Sequence, residues 1–347
     1  MTYHLEKDAE NLEKIHELLL LMPSFVRSFD TSLSNRNLST RTRLGYMYDL
    51  NMFFVYLTHV SQFEGKKPLD FVLSDLDLVS RQDVENYLST FDRSQRDKEG
   101  YANKADRVKA RRLASLRSFY NYFCKGGEIR TNPAAVTASP SLKKKEVVSL
   151  TPEEVTRLLR CIDTGDGLSE RQKPYAQKTR LRDKAILMTL LGTGMRVSEC
   201  VGMDLRDVDF YEASFRVIRK GGDEDIVFFG PEVEDALQAY IDQERELYKP
   251  NTPALFVSTA HGRLTDRAVE NLVTKYASAA GITKHITPHK CRSTFATTIY
   301  NETNDVYMIK DALHHKSLET SKHYINGAKV RKRKASQVVS SLFSEDA

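Results

Sequence analysis

Apolar residues recur at helical spacing along most of the first 130 positions. Leu12, Ile15, Leu18, Leu19 and Met22 form one stripe, which ends near Pro23, where the chain loses a backbone donor. Ser39 and Thr40 cap a second helix running to about Val60, with Leu44, Met47, Tyr48, Leu50, Phe54 and Leu57 on its buried side. A shorter helix is predicted over 83–91 and a long one over 106–123. The long helix sets Leu113, Leu116, Tyr120 and Phe123 on one face and Lys104, Arg107 and Arg111 along the opposite edge, giving it a core side and a basic side. The stretch 131–150 carries two prolines, small residues and the run Lys143-Lys144-Lys145, so periodicity stops there. The pattern predicts an all-helical domain over 1–135 and a linker over 136–150.

At Thr151 a capping-box pattern, Thr151-Pro152-Glu153-Glu154, opens a second domain, assigned to 151–328. Helices are predicted over 180–191, briefly after Met195, and over 231–248, 265–280, 289–300, 305–314 and 317–325. Between them, 214–219 alternates as a strand, Gly221-Gly222-Asp223 turns the chain, and 226–229 returns, which reads as a hairpin. One more short strand is expected at 255–258. The tail, 329–347, begins with the basic cluster Lys329, Arg331, Lys332, Arg333 and Lys334, then becomes amphipathic through Val338, Val339, Leu342 and Phe343. The predicted class is mainly α with a small antiparallel β-sheet in the second domain.

Composition narrows the function. With 347 residues, 40% hydrophobic and 29% charged, the chain is long enough for two cores, and neither a disordered chain nor a membrane bundle fits. Apolar runs are too short to span a bilayer, and acids between Glu6 and Glu17 stand where an export leader needs a basic start, so a cytoplasmic protein is expected. Four cysteines form no CxxC pair, which argues against a disulfide framework or a zinc knuckle. The net charge of +5 is modest, but its distribution is not even. Lys104, Arg107, Lys109, Arg111, Arg112 and Arg117 face only one acid, Asp106, in their stretch. Together with the two other basic blocks, they suit a polyanion that the protein wraps.

Three local motifs stand out. Gly192-Thr193-Gly194-Met195-Arg196-Val197-Ser198-Glu199 bends the backbone and presents an arginine at the mouth of a helix. Pro288-His289-Lys290-Cys291-Arg292 sets a histidine and an arginine three apart on one helical face. Leu313-His314-His315-Lys316-Ser317 is followed by Tyr324. Each is common by itself. Arg196, then Lys220 at a hairpin turn, then HxxR, then a histidine and a tyrosine form, in this order, a specific combination.

That combination resembles the tyrosine recombinase (phage integrase) family, over nearly the whole chain. The resemblance implies a two-domain clamp on double-stranded DNA, strand exchange by four protomers, and cleavage through a 3′-phosphotyrosyl bond with no metal and no other cofactor. Arg196 and Arg292 would neutralise the non-bridging phosphate oxygens, a task suited to planar, bidentate guanidiniums. Tyr324 would be the nucleophile, its phenol of pKa about 10 being a better leaving group than an alcohol on reversal. Lys220 would protonate the departing 5′ oxygen. His289 would assist at the tyrosine or hold a phosphate oxygen, His315 would bind phosphate, and Glu199 would orient the site. Lys104, Arg107, Arg111 and Arg112 would contact DNA. Arg219 competes with Lys220, because strand neighbours point to opposite faces and only one enters the site; arginine is the poorer proton donor. His314 stands where the family usually has glycine, and Cys291 where it usually has leucine. Within the family the short N-terminal region is closer to Xer recombinases, which resolve chromosome dimers, with integration, excision or inversion by a mobile element also open. Relaxation by a type IB topoisomerase and a non-catalytic DNA-binding regulator are the rival readings, and the need for an accessory protein stays open.

Overall fold

The structure, a computed structural model, describes residues 3–93, 102–141, 147–219, 222–314 and 317–322. The chain divides into two units, Met1–Lys144 and Lys145–Ala347. Among the described residues no helix is long and apolar enough to cross a membrane.

The first unit is built from helices Tyr3–Leu19, Val26–Asn35, Thr40–Leu57, Arg81–Arg93 and Ala102–Lys125, with short turns at Leu73–Leu76 and Pro133–Val136. Its centre is aromatic. The Phe119 ring meets Phe29 edge-on at 5.3 Å and Phe123 at 5.1 Å between centroids, the geometry that ring quadrupoles favour. Leu113, Leu116, Tyr120 and Phe123 are buried as the periodicity predicts, whereas Leu12 and Tyr48 stay exposed. The face beside Tyr48 is closed instead by a buried acid. Asp49 accepts from the Arg111 guanidinium at 2.5 Å and from the Ser115 hydroxyl at 2.8 Å, tying Thr40–Leu57 to Ala102–Lys125. Burial raises the Asp49 pKa, against the opposing pull of Ser115, Arg111 and Arg112.

The helix Val26–Asn35 was not expected as a separate element. Its three serines and its threonine weaken the pattern, but Val26, Phe29 and Leu33 bury one face and Asp30 grips Arg43 through two bonds, at 3.0 and 2.7 Å. The start of the expected linker is also packed. Arg117 donates to the carbonyls of Ala134 and Thr137 and to the Ser139 hydroxyl, so 134–139 docks on the first unit.

In the second unit the capping box forms. The Thr151 side chain accepts from the Glu154 amide at 3.3 Å, and Glu154 accepts from the Thr151 amide at 2.8 Å. The central helix, Arg180–Thr193, packs against Pro152–Thr164, Pro231–Gln243 and Pro288–Thr303. Its first turn leaves backbone donors without intrahelical partners, and Glu244 accepts from the Leu181 and Arg182 amides. Three strands, β1 (Val208–Asp209), β2 (Ser214–Ile218) and β3 (Glu224–Phe228), form an antiparallel sheet in that order, with Phe215 opposite Val227. The strand expected at 255–258 does not form. There the chain makes only isolated bridges, Asp204 with Ala254 and Val257 with Arg263, and Leu255, Phe256 and Val257 are buried in the core. The helix expected over 231–248 stops at Gln243 and tightens into a 3₁₀ turn, Arg245–Tyr248.

Candidate active site

The described part of the site is assembled by the ends of elements. Arg180–Thr193 ends on Gly194, whose φ of +63° is left-handed. A Cβ at that position would come within 2.4 Å of the Phe295 ring and 2.9 Å of Leu313, so glycine is required by both backbone conformation and space. The turn delivers Arg196 to the start of helix Val197–Gly202. There the Glu199 carboxylate accepts from the Arg196 amide at 2.8 Å and from its guanidinium at 2.7 Å. The Arg196 side chain remains 41% exposed while Glu199 is buried. The acid therefore fixes the arginine from behind and leaves part of it facing outward.

Glu199 also accepts from Arg219 at 2.8 Å. Burial alone would raise its pKa, but the hydrogen bond from the Arg196 amide and the charges of Arg219 and Arg196 outweigh that and hold it below the ordinary carboxylate value. It stays anionic between two guanidiniums.

Arg292 projects from Pro288–Thr303 and is buried. Its two terminal nitrogens donate to the Gly194 and Leu313 carbonyls, each at 2.7 Å. One guanidinium thus fixes the backbone two residues before Arg196 and two residues before His315. His289, one turn earlier on the same helix, keeps an exposed edge. Partial burial of its ring, followed by the charges of Lys290, Arg292 and Arg196, holds its pKa below the usual histidine value. Cys291, in the position where leucine is usual, is fully buried, so the difference is absorbed by packing.

The chain matches the phage integrase family over residues 148–331 and its N-terminal SAM-like domain over 26–127. It is 31% identical over 317 residues to the tyrosine recombinase XerC of Syntrophus aciditrophicus, covering 87% of this chain and 93% of that protein. The chain belongs to the phage integrase family of tyrosine recombinases. It is thus an enzyme of site-specific DNA recombination. XerC of Oceanobacillus iheyensis is 30% identical to this recombinase over 92% of this chain and 96% of its own. The fold is also that of XerH bound to a palindromic difH substrate (TM-score 0.65, 19% identity, 90% of this chain and 85% of that one). The Tn1549 transposon integrase, solved with circular intermediate DNA, has a TM-score of 0.63 at 22% identity, covering 89% and 97% of the two chains.

In this recombinase the contacts above tie Arg196, Glu199 and Arg292 together, and His289, three residues before Arg292, lies near enough to Arg196 and Arg292 for their charges to lower its pKa. Lys220, His315 and Tyr324 lie outside the described residues, as does the tail 329–347. Of the basic positions in the first unit, Arg107 is exposed, Arg111 is half-exposed on Asp49, and the Lys104 side chain is outside what is described. Arg112 departs from the expected basic face. Its side chain is mostly buried, 3.7 Å from Asp49 and over the Tyr87 ring, so it belongs to the packing of the unit. Three residues around the site went unassigned on sequence reasoning: Arg219, weighed only as a rival of Lys220, Asp225 and His314. The signal for Arg219 and Asp225 was present as opposite charges flanking a glycine turn. Among the described residues no cluster of histidine, cysteine and acids is arranged to hold a metal.

Proposed function

We propose that this recombinase cuts and rejoins double-stranded DNA through a 3′-phosphotyrosyl intermediate formed by Tyr324. The phenolic oxygen attacks phosphorus, the bond to the 5′ oxygen breaks, and that oxygen leaves with a proton from Lys220. A 5′ hydroxyl then attacks the phosphotyrosine, and the phenol leaves. One phosphodiester is exchanged for another, so no outside energy source is consumed. Arg196 and Arg292 neutralise the non-bridging oxygens, His289 exchanges a proton or holds an oxygen, and His315 binds phosphate. Arg219 is already engaged by carboxylates, which supports Lys220 as the proton donor of this hairpin.

The observation that carries this reading is the buried Arg292 guanidinium bound to the Gly194 and Leu313 carbonyls, because it registers the Arg196 turn against the segment leading to His315 and Tyr324. A cation so deeply placed and aimed at backbone from two elements is organised before any substrate arrives. The first unit, with Arg107 and Arg111 on its surface, completes a clamp on DNA. Four protomers exchange strands in the cytoplasm, as in dimer resolution of the Xer type or in the movement of a mobile element.

The test is covalent trapping. The protein is incubated with nicked, labelled duplexes tiled from the DNA flanking its gene and from chromosome-terminus sites, then run on a denaturing gel. A shifted band that Tyr324→Phe abolishes while binding persists is the expected result. Binding without a band on every duplex overturns it in favour of a DNA-binding regulator. Relaxation of plasmid without strand exchange would assign the same chemistry to a topoisomerase.

A further inference from the structure

The contacts around Arg196 close into a ring. Glu199 holds Arg196 and Arg219. Arg219 in turn donates from Nε to Asp225 at 2.9 Å and from Nη2 to the same oxygen at 2.8 Å, closing the mouth of the β2–β3 hairpin. That Asp225 oxygen also lies 3.3 Å from Nδ1 of His314. His314 follows Leu313, whose carbonyl is bound by Arg292, and Arg292 returns to Gly194, two residues from Arg196. Four pieces of chain, the 194–199 turn, the hairpin, Pro288–Thr303 and the 313–314 turn, are therefore tied together by charged and polar side chains bonding to one another and to backbone carbonyls.

His314 is the informative member. Its φ of +50° is left-handed, a conformation that is costly for a residue with a Cβ and that glycine adopts freely. Its side chain is half-exposed, so burial does not compensate. What the imidazole gains there is Asp225. Arg219, by contrast, is buried, and its two acidic partners absorb a charge that would otherwise be costly.

We propose that Arg219, Asp225 and His314 form a positioning relay that sets the Arg196–Glu199 pair and latches the hairpin bearing Lys220 to the turn that leads into His315. This deepens the proposed function and rests on it. None of the three touches the reacting atoms; they act through Arg196, Lys220 and His315. The relay reaches Arg196 through Glu199, and Arg292 reaches the same turn through the Gly194 carbonyl, so both arginines of the phosphate site belong to one connected set of contacts.

The test uses the full chain and the nicked duplex that traps the unaltered protein. Asp225→Asn removes one charge with little change of shape, and His314→Gly relieves the strained backbone while deleting the latch. Each variant is expected to slow covalent capture at saturating DNA by about 10-fold or more, as loss of an orienting partner does elsewhere, with the Kd for the duplex within about 2-fold. His314→Gly should retain or raise the melting temperature, an outcome a merely structural role would not combine with slower capture. The double variant should be no slower than the slower single one, because both break the same relay. Capture rates within about 2-fold of the unaltered protein, or losses that multiply in the double variant, overturn the relay. If no duplex traps the unaltered protein, it is the phosphotyrosyl reading that fails. The relay is then judged without DNA by amide hydrogen exchange. Faster exchange at both the hairpin and 313–314 in Asp225→Asn supports it, and a change confined to the hairpin refutes it.

Discussion

Replacing Gly194 by alanine tests whether the turn before Arg196 is the keystone of the site. The added methyl is forced into a left-handed backbone at φ +63°, which costs an L-residue about 1–2 kcal/mol. It also meets the Phe295 ring at 2.4 Å and Leu313 at 2.9 Å, closer than carbon atoms approach, and relieving such overpacking costs about 1–3 kcal/mol. The sum, about 3 kcal/mol, is a large part of the stability of a single domain and corresponds to a fall of about 6–12 °C in Tm for a unit of this size. Thermal denaturation followed by circular dichroism measures it. The same movement displaces the Gly194 carbonyl from Arg292, so capture on a nicked duplex should fall even at temperatures where Gly194→Ala is folded. A Tm within about 2 °C of the unaltered protein, with capture retained, would refute the claim that this turn requires glycine.

Two further outcomes follow from the charges. His289 titrates below the ordinary histidine value in the folded protein, so the unfolded chain binds the extra proton and stability is lost as pH falls through the unfolded value towards the folded one. Tm measured between pH 7.5 and pH 5 should fall less in His289→Asn, and an identical pH dependence in the two proteins would contradict the assigned environment. In the first unit, Arg112→Ala should lower stability by about 2 kcal/mol through the loss of its contacts with Asp49 and Tyr87, whereas Arg107→Ala should leave Tm unchanged and reduce the salt slope of DNA binding by about 1. Denaturant melts and binding titrations over a salt series separate the two, and equal effects on binding would return Arg112 to the DNA-contacting face.

Much of this protein is readable in one dimension, for reasons of local physics. Helix periodicity, the Thr151 capping box and the glycine hairpin are set by interactions between residues a few positions apart, so spacing alone predicted them. The candidate site was readable because its chemistry demands particular side chains in a particular order, and Arg196, HxxR and a late tyrosine are rare in combination. What sequence reasoning missed depends on partners distant along the chain. Leu12 and Tyr48 fit a helical stripe but stay exposed, and for Tyr48 the reason lies in the Asp49 contacts with Arg111 and Ser115, which decide which edge of its helix is covered. Arg112 reads as a surface cation until Asp49, more than sixty residues earlier, draws it inward. The same holds for the ring through Glu199, Arg219, Asp225 and His314. Every member is an ordinary polar residue in the sequence, and only folding brings them within reach of one another; the attraction is strongest between Glu199 and Arg219, where both side chains are buried and water is excluded from between them.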